Sequence, residues 1–144
     1  MKITRILAPT DFSELSRHAV DEAVDLAKQL DAEVVLLHVC PLLVYALEPD
    51  VVPDDPAFEQ ELKKRLGERL QARAAELAGA RVRTLLVDGN PSLKVAEVAS
   101  EEDCDLVVMA THGRTGMARF TLGSVAERTV RSSRVPVMTV PAAH

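Results

Sequence analysis

The sequence predicts an α/β protein with a single open, five-stranded parallel sheet that carries helices on both of its faces. Five apolar segments have the length and the β-branched composition of buried strands. They alternate with segments whose apolar residues recur at helical spacing. Such alternation is typical of a parallel sheet, because each crossover between parallel strands needs a connection as long as a helix. The expected strand order is 3-2-1-4-5.

The predicted strands are short, and two of them contain a proline. Pro9 ends the first strand. Pro136 lies inside the fifth, which predicts an edge position for that strand because proline cannot donate to the ladder. The five strands are Ile3 to Pro9, Glu33 to Cys40, Arg81 to Val87, Leu106 to Ala110 and Val135 to Val140.

Four helices are predicted between the strands. Ser13 is a suitable N-cap for the first, which runs to about Leu30, and Pro91 suits the first turn of the third. Pro41 to Pro56 contains four prolines and no helical period, so a loop is expected there. The other three helices run from Ala57 to Leu77, from Pro91 to about Glu102 and from about Gly123 to Ser132.

Length and composition limit the possible functions. A chain of 144 residues predicts one domain, residues 1–144. A net charge of −5 without a basic run argues against a nucleic-acid partner. No apolar stretch resembles a signal peptide or a membrane span, so we expect a cytoplasmic protein that does not enter a membrane. Cys40 and Cys104 are expected to be buried free thiols, and the scattered histidines predict no metal site.

Two strand ends carry the residues that point to a ligand. In open parallel sheets, ligands bind outside the carboxyl ends of the strands, where the strand order reverses. The expected order places that reversal between the first and fourth strands. Pro9-Thr10-Asp11-Phe12-Ser13 follows the first strand, and Ala110-Thr111-His112-Gly113-Arg114 follows the fourth and leads to Gly123-Ser124.

The segment after the fourth strand has the features of a phosphate-binding site. Gly113 and Gly123 allow close backbone approach or a positive φ. Gly123-Ser124 begins a helix, where free amides and the dipole favour an anion. Thr111 and Ser124 add hydroxyls and Arg114 adds a positive charge. The alternative is a long connecting loop with a serine cap. The Walker and dinucleotide-binding glycine patterns are absent from the sequence, which disfavours those enzyme classes.

These residues also resemble a known family. Pro9-Thr10-Asp11-x-Ser13 and the segment MATHGRTGMARFTLGSVAERTVRSSRVPVMTV strongly resemble the universal stress protein family, essentially over the whole chain. The ATP-binding branch of that family carries Gly-x2-Gly-x9-Gly-Ser/Thr, which reads here Ala110-x2-Gly113-x9-Gly123-Ser124. Three of the four positions match, and Ala110 replaces the first glycine. Alanine is compatible with this position if it ends a strand with negative φ, so the matches favour the ATP-binding branch.

The resemblance implies an adenine-nucleotide α-hydrolase-like fold and a role for each site residue. Asp11 would bond the ribose or adenine side of the nucleotide, since a carboxylate that faces a triphosphate would repel it. For Asp11 taken alone, the alternative is a helix N-cap. The remaining residues are Val39 at the adenine edge, Pro9, Thr10 and Met109 in the walls, Ala110, Thr111, His112, Gly113, Gly123 and Ser124 at the phosphates, and Arg114 and Val125 beside them.

The function implied is that of a cytosolic ATP-binding stress-response or regulatory protein with at most slow ATP hydrolysis, so no catalytic residue is assigned. ATP is the expected cofactor, with ADP or AMP as alternatives and Mg²⁺ as the accompanying ion. One alternative is a dimeric interaction module with a vestigial nucleotide site, which the alanine at position 110 favours. The other is an enzyme that uses the same site, which needs a base and a second substrate pocket. His112 has no orienting carboxylate beside it in the sequence.

A homodimer is expected through the C-terminal strand. Val135 to Val140 is apolar, and only Pro141 to His144 follow it in the sequence. An uncovered apolar edge favours pairing with another strand, and antiparallel pairing with a second copy closes the assembly. The family resemblance points the same way. A lysine at Val137 is expected to release monomers. The alternative is a monomer whose edge strand is covered by the loop from Pro41 to Pro56.

Overall fold

A computed structural model describes residues 1–41, 56–113 and 122–142. Arg114 and nearly all of the loop predicted between Pro41 and Pro56 lie outside the described residues. In the described ranges, strands and helices alternate along the chain as predicted. They are β1 (Arg5–Pro9), α1 (Glu14–Leu30), β2 (Glu33–Cys40), α2 (Pro56–Ala75), β3 (Arg81–Asp88), α3 (Pro91–Glu101), β4 (Leu106–Ala110), α4 (Ser124–Ser132) and β5 (Val137–Val140).

All of the described strands form one parallel sheet in the order β3-β2-β1-β4-β5, which confirms the predicted order. β1 lies at the centre, paired with β2 on one side and with β4 on the other. The chain first builds outward from β1 to β3 and then crosses to β4 and β5. The strand order therefore reverses between β1 and β4, and ligands bind at such a reversal in open parallel sheets.

Side chains that alternate along each strand divide the core into two layers. Ile6 and Ala8 of β1 belong to the layer covered by α1 and α2, whereas Leu7 belongs to the layer covered by α3 and α4. Because both faces of the sheet are covered, the central strands are apolar throughout, and every residue of β4 is buried. This arrangement confirms the prediction of helices on both faces.

The starts of α1 and α3 agree with the predicted N-cap Ser13 and the predicted first-turn residue Pro91. The Ser13 hydroxyl accepts a hydrogen bond from the Ser16 amide at 3.2 Å, so Ser13 is the N-cap of α1. The Asn90 side chain caps α3 and accepts from the Ser92 amide at 2.9 Å, with Pro91 in the first turn. Both interactions satisfy amides that the helix itself leaves without partners.

The prediction that Pro136 lies inside the fifth strand is wrong. β5 begins one residue later, at Val137. The Pro136 carbonyl accepts a hydrogen bond from the Val107 amide at 3.0 Å, so the proline joins the ladder only as an acceptor at the strand entry. The edge position of this strand is confirmed by the strand order.

Asp105 connects the starts of the two strands that flank the order reversal. It lies in the turn before β4, and its Oδ2 accepts from the Thr4 amide at 2.8 Å, the Thr4 hydroxyl at 3.0 Å and the Arg5 amide at 3.1 Å. These bonds, above all that from the Thr4 amide, hold the pKa of Asp105 below its ordinary value.

We expect Asp105→Asn to lower the free energy of unfolding by about 1–3 kcal/mol at neutral pH, because the hydrogen bonds lose their charged acceptor. A carboxyl whose pKa is lower in the folded state stabilises the fold above its unfolded pKa. That contribution is lost as the pH falls through the folded pKa. The difference between wild type and variant should therefore shrink below about pH 4.

Urea denaturation at a series of pH values measures this difference. Asp103→Asn is the matched control, because Asp103 is exposed in the same turn with φ of 52°, a conformation that asparagine tolerates. A constant difference between wild type and Asp105→Asn from pH 7 to pH 3 would contradict the role assigned to the carboxylate.

Candidate functional site

A cleft of about 240 Å³ lies at the carboxyl ends of β1 and β4, where the strand order reverses. Every predicted site residue except Arg114, which is outside the described residues, lines this cleft. The structure therefore brings together residues that are about one hundred positions apart in the chain. These residues are Pro9, Thr10, Asp11, Val39, Met109, Ala110, Thr111, His112, Gly113, Gly123, Ser124 and Val125.

Sequence reasoning missed five residues of the cleft wall. His38 directly precedes the predicted site residue Val39 at the end of β2, and this position was a usable signal. Pro91 and Val95 belong to α3, which starts after β3 at the same edge of the sheet, and this position was a usable signal. The five are Ser16, His38, Pro91, Val95 and Ala126.

Asp11 faces the segment that follows β4. Its Oδ1 accepts a hydrogen bond from the Ser13 amide at 2.9 Å, while Ser13 itself caps α1. The N-cap of α1 is therefore Ser13 and not Asp11. A Cβ atom added at Gly113 would lie 2.7 Å from the Asp11 Oδ2. Glycine at position 113 thus leaves room for this carboxylate at the reversal between β1 and β4.

Gly123 allows two backbone segments to pack closely. Its φ is −64°, so of the two roles considered for this glycine, a positive φ and close backbone approach, only the second remains. A Cβ atom there would lie 3.2 Å from the Thr111 carbonyl oxygen and 3.3 Å from the His112 Cα. The Gly123 amide also donates to the Thr111 carbonyl at 2.7 Å. Close approach between backbones, rather than an unusual dihedral angle, is the physical reason for glycine here.

The N-terminus of α4 opens onto the cleft. Gly123 is its N-cap and makes no side-chain cap bond, because glycine has no side chain. Ser124, Val125 and Ala126, the first three residues of the helix, all line the cleft. Amides in a first helical turn have no partner within the helix, and together with the helix dipole they favour an anion.

Ala110, which replaces the first glycine of the family pattern, is the last residue of β4. It pairs in register with Val140 and is buried. Its backbone is not among the described residues with positive φ, so alanine is compatible with this position. Ala110 lines the cleft and also belongs to the core layer covered by α1 and α2.

His112 places a polar atom in the cleft region without a protein partner. Its Nδ1 forms a hydrogen bond with the Thr111 hydroxyl at 2.9 Å. Its Nε2 is buried and has no hydrogen-bond partner in the described part of the chain. A buried polar atom without a partner costs free energy. A polar group of a bound ligand could supply the missing hydrogen bond.

The floor of the cleft is fixed by hydrogen bonds among side chains of the β1–α1 turn. The hydroxyls of Thr10 and Ser16 lie 3.1 Å apart, and the Ser13 hydroxyl donates to that of Ser16 at 3.2 Å. The Thr10 hydroxyl also accepts from the Phe12 amide at 3.0 Å. Phe12 has φ of 66°, a conformation that costs a bulky residue about 1–3 kcal/mol and persists only where its surroundings enforce it.

Charge in the cleft is sparse. Among the described lining residues Asp11 is the only carboxylate, and none is a lysine or arginine. An anion at the α4 end of the cleft would accordingly be held by backbone amides, hydroxyls and the helix dipole. Asp11 lies beside Gly113, so a ligand in the cleft would meet both this carboxylate and the start of α4.

The described residues contain no group of three or more His, Cys, Asp or Glu side chains placed to hold a metal ion. Cys40 and Cys104 are buried free thiols, as predicted. Burial raises the pKa of both, and that of Cys104 reaches about 11, which keeps these thiols protonated and unreactive at neutral pH. No helix within the described ranges is long and apolar enough to cross a membrane.

The sequence model of the universal stress protein family matches residues 2–141. The chain belongs to the universal stress protein family. Universal stress protein MJ0531 of Methanocaldococcus jannaschii is 33% identical over 141 residues, which cover 94% of this chain and 81% of that protein.

Solved structures of universal stress proteins share the fold. The structure of MJ0577, also from Methanocaldococcus jannaschii, has a TM-score of 0.76 and 29% identity, and the match covers 100% of this chain and 99% of that one. A universal stress protein solved in complex with cAMP has a TM-score of 0.70 and 23% identity, with 99% and 100% coverage. These relationships confirm the resemblance inferred from the Asp11 and Gly113-to-Ser124 motifs.

Proposed function

We propose that the cleft binds an adenine nucleotide, ATP in the first instance, and that this universal stress protein is a cytoplasmic ATP-binding regulatory protein. One observation carries the proposal. Asp11, Gly113 and the N-terminus of α4 meet in one cleft at the reversal of strand order. A universal stress protein of the same fold has been solved with cAMP, which supports an adenine nucleotide as the ligand class.

The residues present fit the parts of a nucleotide. The first amides of α4, with the Ser124 and Thr111 hydroxyls, would hold phosphate oxygens. The buried Nε2 of His112 would gain the hydrogen bond that it lacks. Asp11 would accept from a ribose hydroxyl or from the adenine amine, and Val39 would contact the base with its backbone. Mg²⁺ would arrive with the phosphates, since magnesium sites commonly use few protein ligands.

The proposed role is regulatory rather than catalytic, with at most slow hydrolysis of ATP. Binding free energy would select one conformation or partner surface of the protein. Among the described lining residues no carboxylate orients His112, whose Nδ1 is paired with the Thr111 hydroxyl. A base that activates water is usually held by such a partner.

A vestigial site in a dimeric interaction module is the second candidate, and Ala110 is the observation that favours it. Alanine takes the place of the glycine that the ATP-binding branch has at this position, and the residue lines the cleft. The strand geometry of Ala110 limits this cost, because the backbone there suits alanine. The two candidates differ in whether the purified protein binds nucleotide saturably.

Equilibrium dialysis of the full chain with labelled ATP and Mg²⁺ at up to millimolar concentration tests the proposal, with ADP, AMP and GTP as competitors. We expect saturable ATP binding that the adenine nucleotides displace more readily than GTP does. Asp11→Ala should weaken binding about tenfold or more, because a hydrogen bond to a charged acceptor is lost.

Asp25→Ala is the matched control for Asp11→Ala, since Asp25 is exposed on α1 and does not line the cleft. It should bind ATP as the wild type does. An absence of saturable binding by the folded wild-type protein would refute the proposal and favour the vestigial site.

A further inference from the structure

We infer that Phe12 is a positioning residue for the proposed nucleotide site, held by a stack that connects α2 to Asp11. Phe12 does not line the cleft. It lies between Asp11, whose carboxylate faces Gly113, and Ser13, which caps α1. The inference rests on the proposed function, because its consequence is an effect on nucleotide affinity.

The backbone of Phe12 sets the course of the β1–α1 turn. With φ of 66°, Phe12 adopts the left-handed conformation, which bulky residues rarely adopt. This one residue turns the chain between the extended strand and the helix start. The Ser13 amide can then donate to the Asp11 Oδ1 at 2.9 Å, and the Asp11 Oδ2 lies against Gly113. The orientation of Asp11 therefore depends on the conformation of its neighbour.

Two contacts hold the Phe12 ring. The ring centroids of Phe12 and His38 are 4.6 Å apart with an interplanar angle of 42°. The guanidinium carbon of Arg69, on α2, lies 4.2 Å from the centroid of the Phe12 ring. A cation at this distance from a ring face is attracted by the ring quadrupole. Phe12 also packs against the core layer below α1 and α2.

His38 connects the same stack to Thr10, which lines the cleft. Its Nδ1 donates to the Thr10 carbonyl at 2.7 Å, since a carbonyl oxygen only accepts, and the imidazole is buried. The Thr10 hydroxyl in turn accepts from the Phe12 amide. The stack and these hydrogen bonds form one connected unit from exposed Arg69 on α2 to Thr10 and Asp11 in the cleft.

The structure thus gives a reason for an aromatic residue in a conformation that favours glycine or asparagine. The ring contacts compensate for the unfavourable backbone angle and fix the direction of the Asp11 carboxylate before a ligand binds. Preorganisation of this kind raises affinity because the ligand does not have to order the turn. A purely structural ring would stabilise the fold without a separate effect on nucleotide affinity.

Phe12→Asn and Phe12→Tyr separate these roles. Asparagine adopts the left-handed conformation readily but removes the ring, whereas tyrosine keeps the ring. We expect Phe12→Asn to weaken ATP binding about tenfold and Phe12→Tyr to remain within about threefold of wild type. Isothermal titration calorimetry of the full chain at about 25 °C measures the ATP affinity of both variants. Circular dichroism confirms that each variant is folded.

A surface variant tests the same unit without loss of core packing. Arg69→Gln should weaken ATP binding about two- to fivefold, which corresponds to an exposed cation–π contact. Arg65, one turn earlier on α2, forms an exposed ion pair with Glu61, and Arg65→Gln should bind ATP as the wild type does. In nuclear magnetic resonance spectra, the Ser13 amide signal should shift in Arg69→Gln and not in Arg65→Gln, because this amide bonds the Asp11 carboxylate.

The outcomes distinguish the inference from the proposed function. If the wild type binds ATP and Phe12→Asn and Arg69→Gln bind equally well, the positioning role is refuted while the nucleotide site stands. If Phe12→Asn does not fold, an unchanged affinity and Ser13 signal in Arg69→Gln refute the role by themselves. If the wild type does not bind ATP, the proposed function fails and the inference fails with it.

Discussion

Gly123→Val is expected to reduce ATP affinity about 100-fold or more, equivalent to about 2.7 kcal/mol. A Cβ atom at this position would lie 3.2 Å from the Thr111 carbonyl oxygen and 3.3 Å from the His112 Cα, and valine adds two further methyl groups. The neighbouring atoms are backbone, so they cannot move away as a flexible side chain could. The start of α4 must then separate from the turn after β4, and both parts of the phosphate site are lost together.

Ala110→Gly is expected to change ATP affinity by less than about tenfold, or about 1.4 kcal/mol. The backbone of Ala110 is that of a strand residue, in which alanine is unstrained. The change therefore removes only one methyl group at the end of β4. A gain well above tenfold for Ala110→Gly would show that alanine at this position has moved the protein away from nucleotide binding.

Titration calorimetry with ATP and Mg²⁺ measures these variants side by side. Gly67→Ala is the control for adding a side chain at a glycine, because nothing lies within 4 Å of a Cβ atom at this position on α2. Gly123→Ala should fall between wild type and Gly123→Val, and it provides a milder variant if valine prevents folding. Wild-type affinity in a folded Gly123→Val protein would contradict the assigned site.

We expect the wild-type protein to form a homodimer through β5 and Met138→Lys to release monomers. β5 is the edge of the sheet, and no described strand pairs with its outer side. The Pro136 carbonyl accepts from the Val107 amide and the Val140 carbonyl from the Thr111 amide, so these residues bond to β4. Backbone groups alternate in direction along a strand, and the N–H and C=O groups of Val137 and Thr139 therefore point to the outer edge. Antiparallel pairing with the same strand of a second copy would use these groups.

The structure favours Met138 over Val137 as the position at which a lysine tests the dimer. Val137 packs against the core layer below α3 and α4, so a lysine there would damage the monomer as well as any interface. Met138 is 37% exposed and points to the other side of the strand. Antiparallel pairing with the two-fold axis at the middle of β5 would bring the two copies of residue 138 close together, and like charges near each other on paired strands are destabilising.

Light scattering after size-exclusion chromatography measures the mass in solution. The wild type should have twice the monomer mass of 15.7 kDa at micromolar concentration, and Met138→Lys should approach the monomer mass. We expect the dimer dissociation constant to rise about 100-fold, because each substitution counts twice at a two-fold contact. Met138→Leu keeps the apolar side chain and should remain dimeric. A wild-type mass of 15.7 kDa would refute the dimer.

The sequence by itself determined the architecture and most of the candidate site. Buried strands such as Glu33–Cys40 and Leu106–Ala110 have bounds that periodicity and composition define, because both faces of these strands pack against helices. Once the strand order was inferred, the rule for ligand position pointed to the ends of β1 and β4. Asp11 and Gly123 could then be assigned, because their residue types match chemistry that this position needs.

Only the tertiary structure decided which physical requirement each site residue meets. A sequence does not show that Gly123 avoids a clash between backbones rather than supplying a positive φ, or that Phe12 has the positive φ instead. Both facts depend on contacts between segments that are far apart in the chain. The start of β5 after Pro136 was missed for the same reason, since the partner of its carbonyl, the Val107 amide, is supplied by β4. Local preferences define elements, whereas distant neighbours determine the conformation of single residues where elements meet.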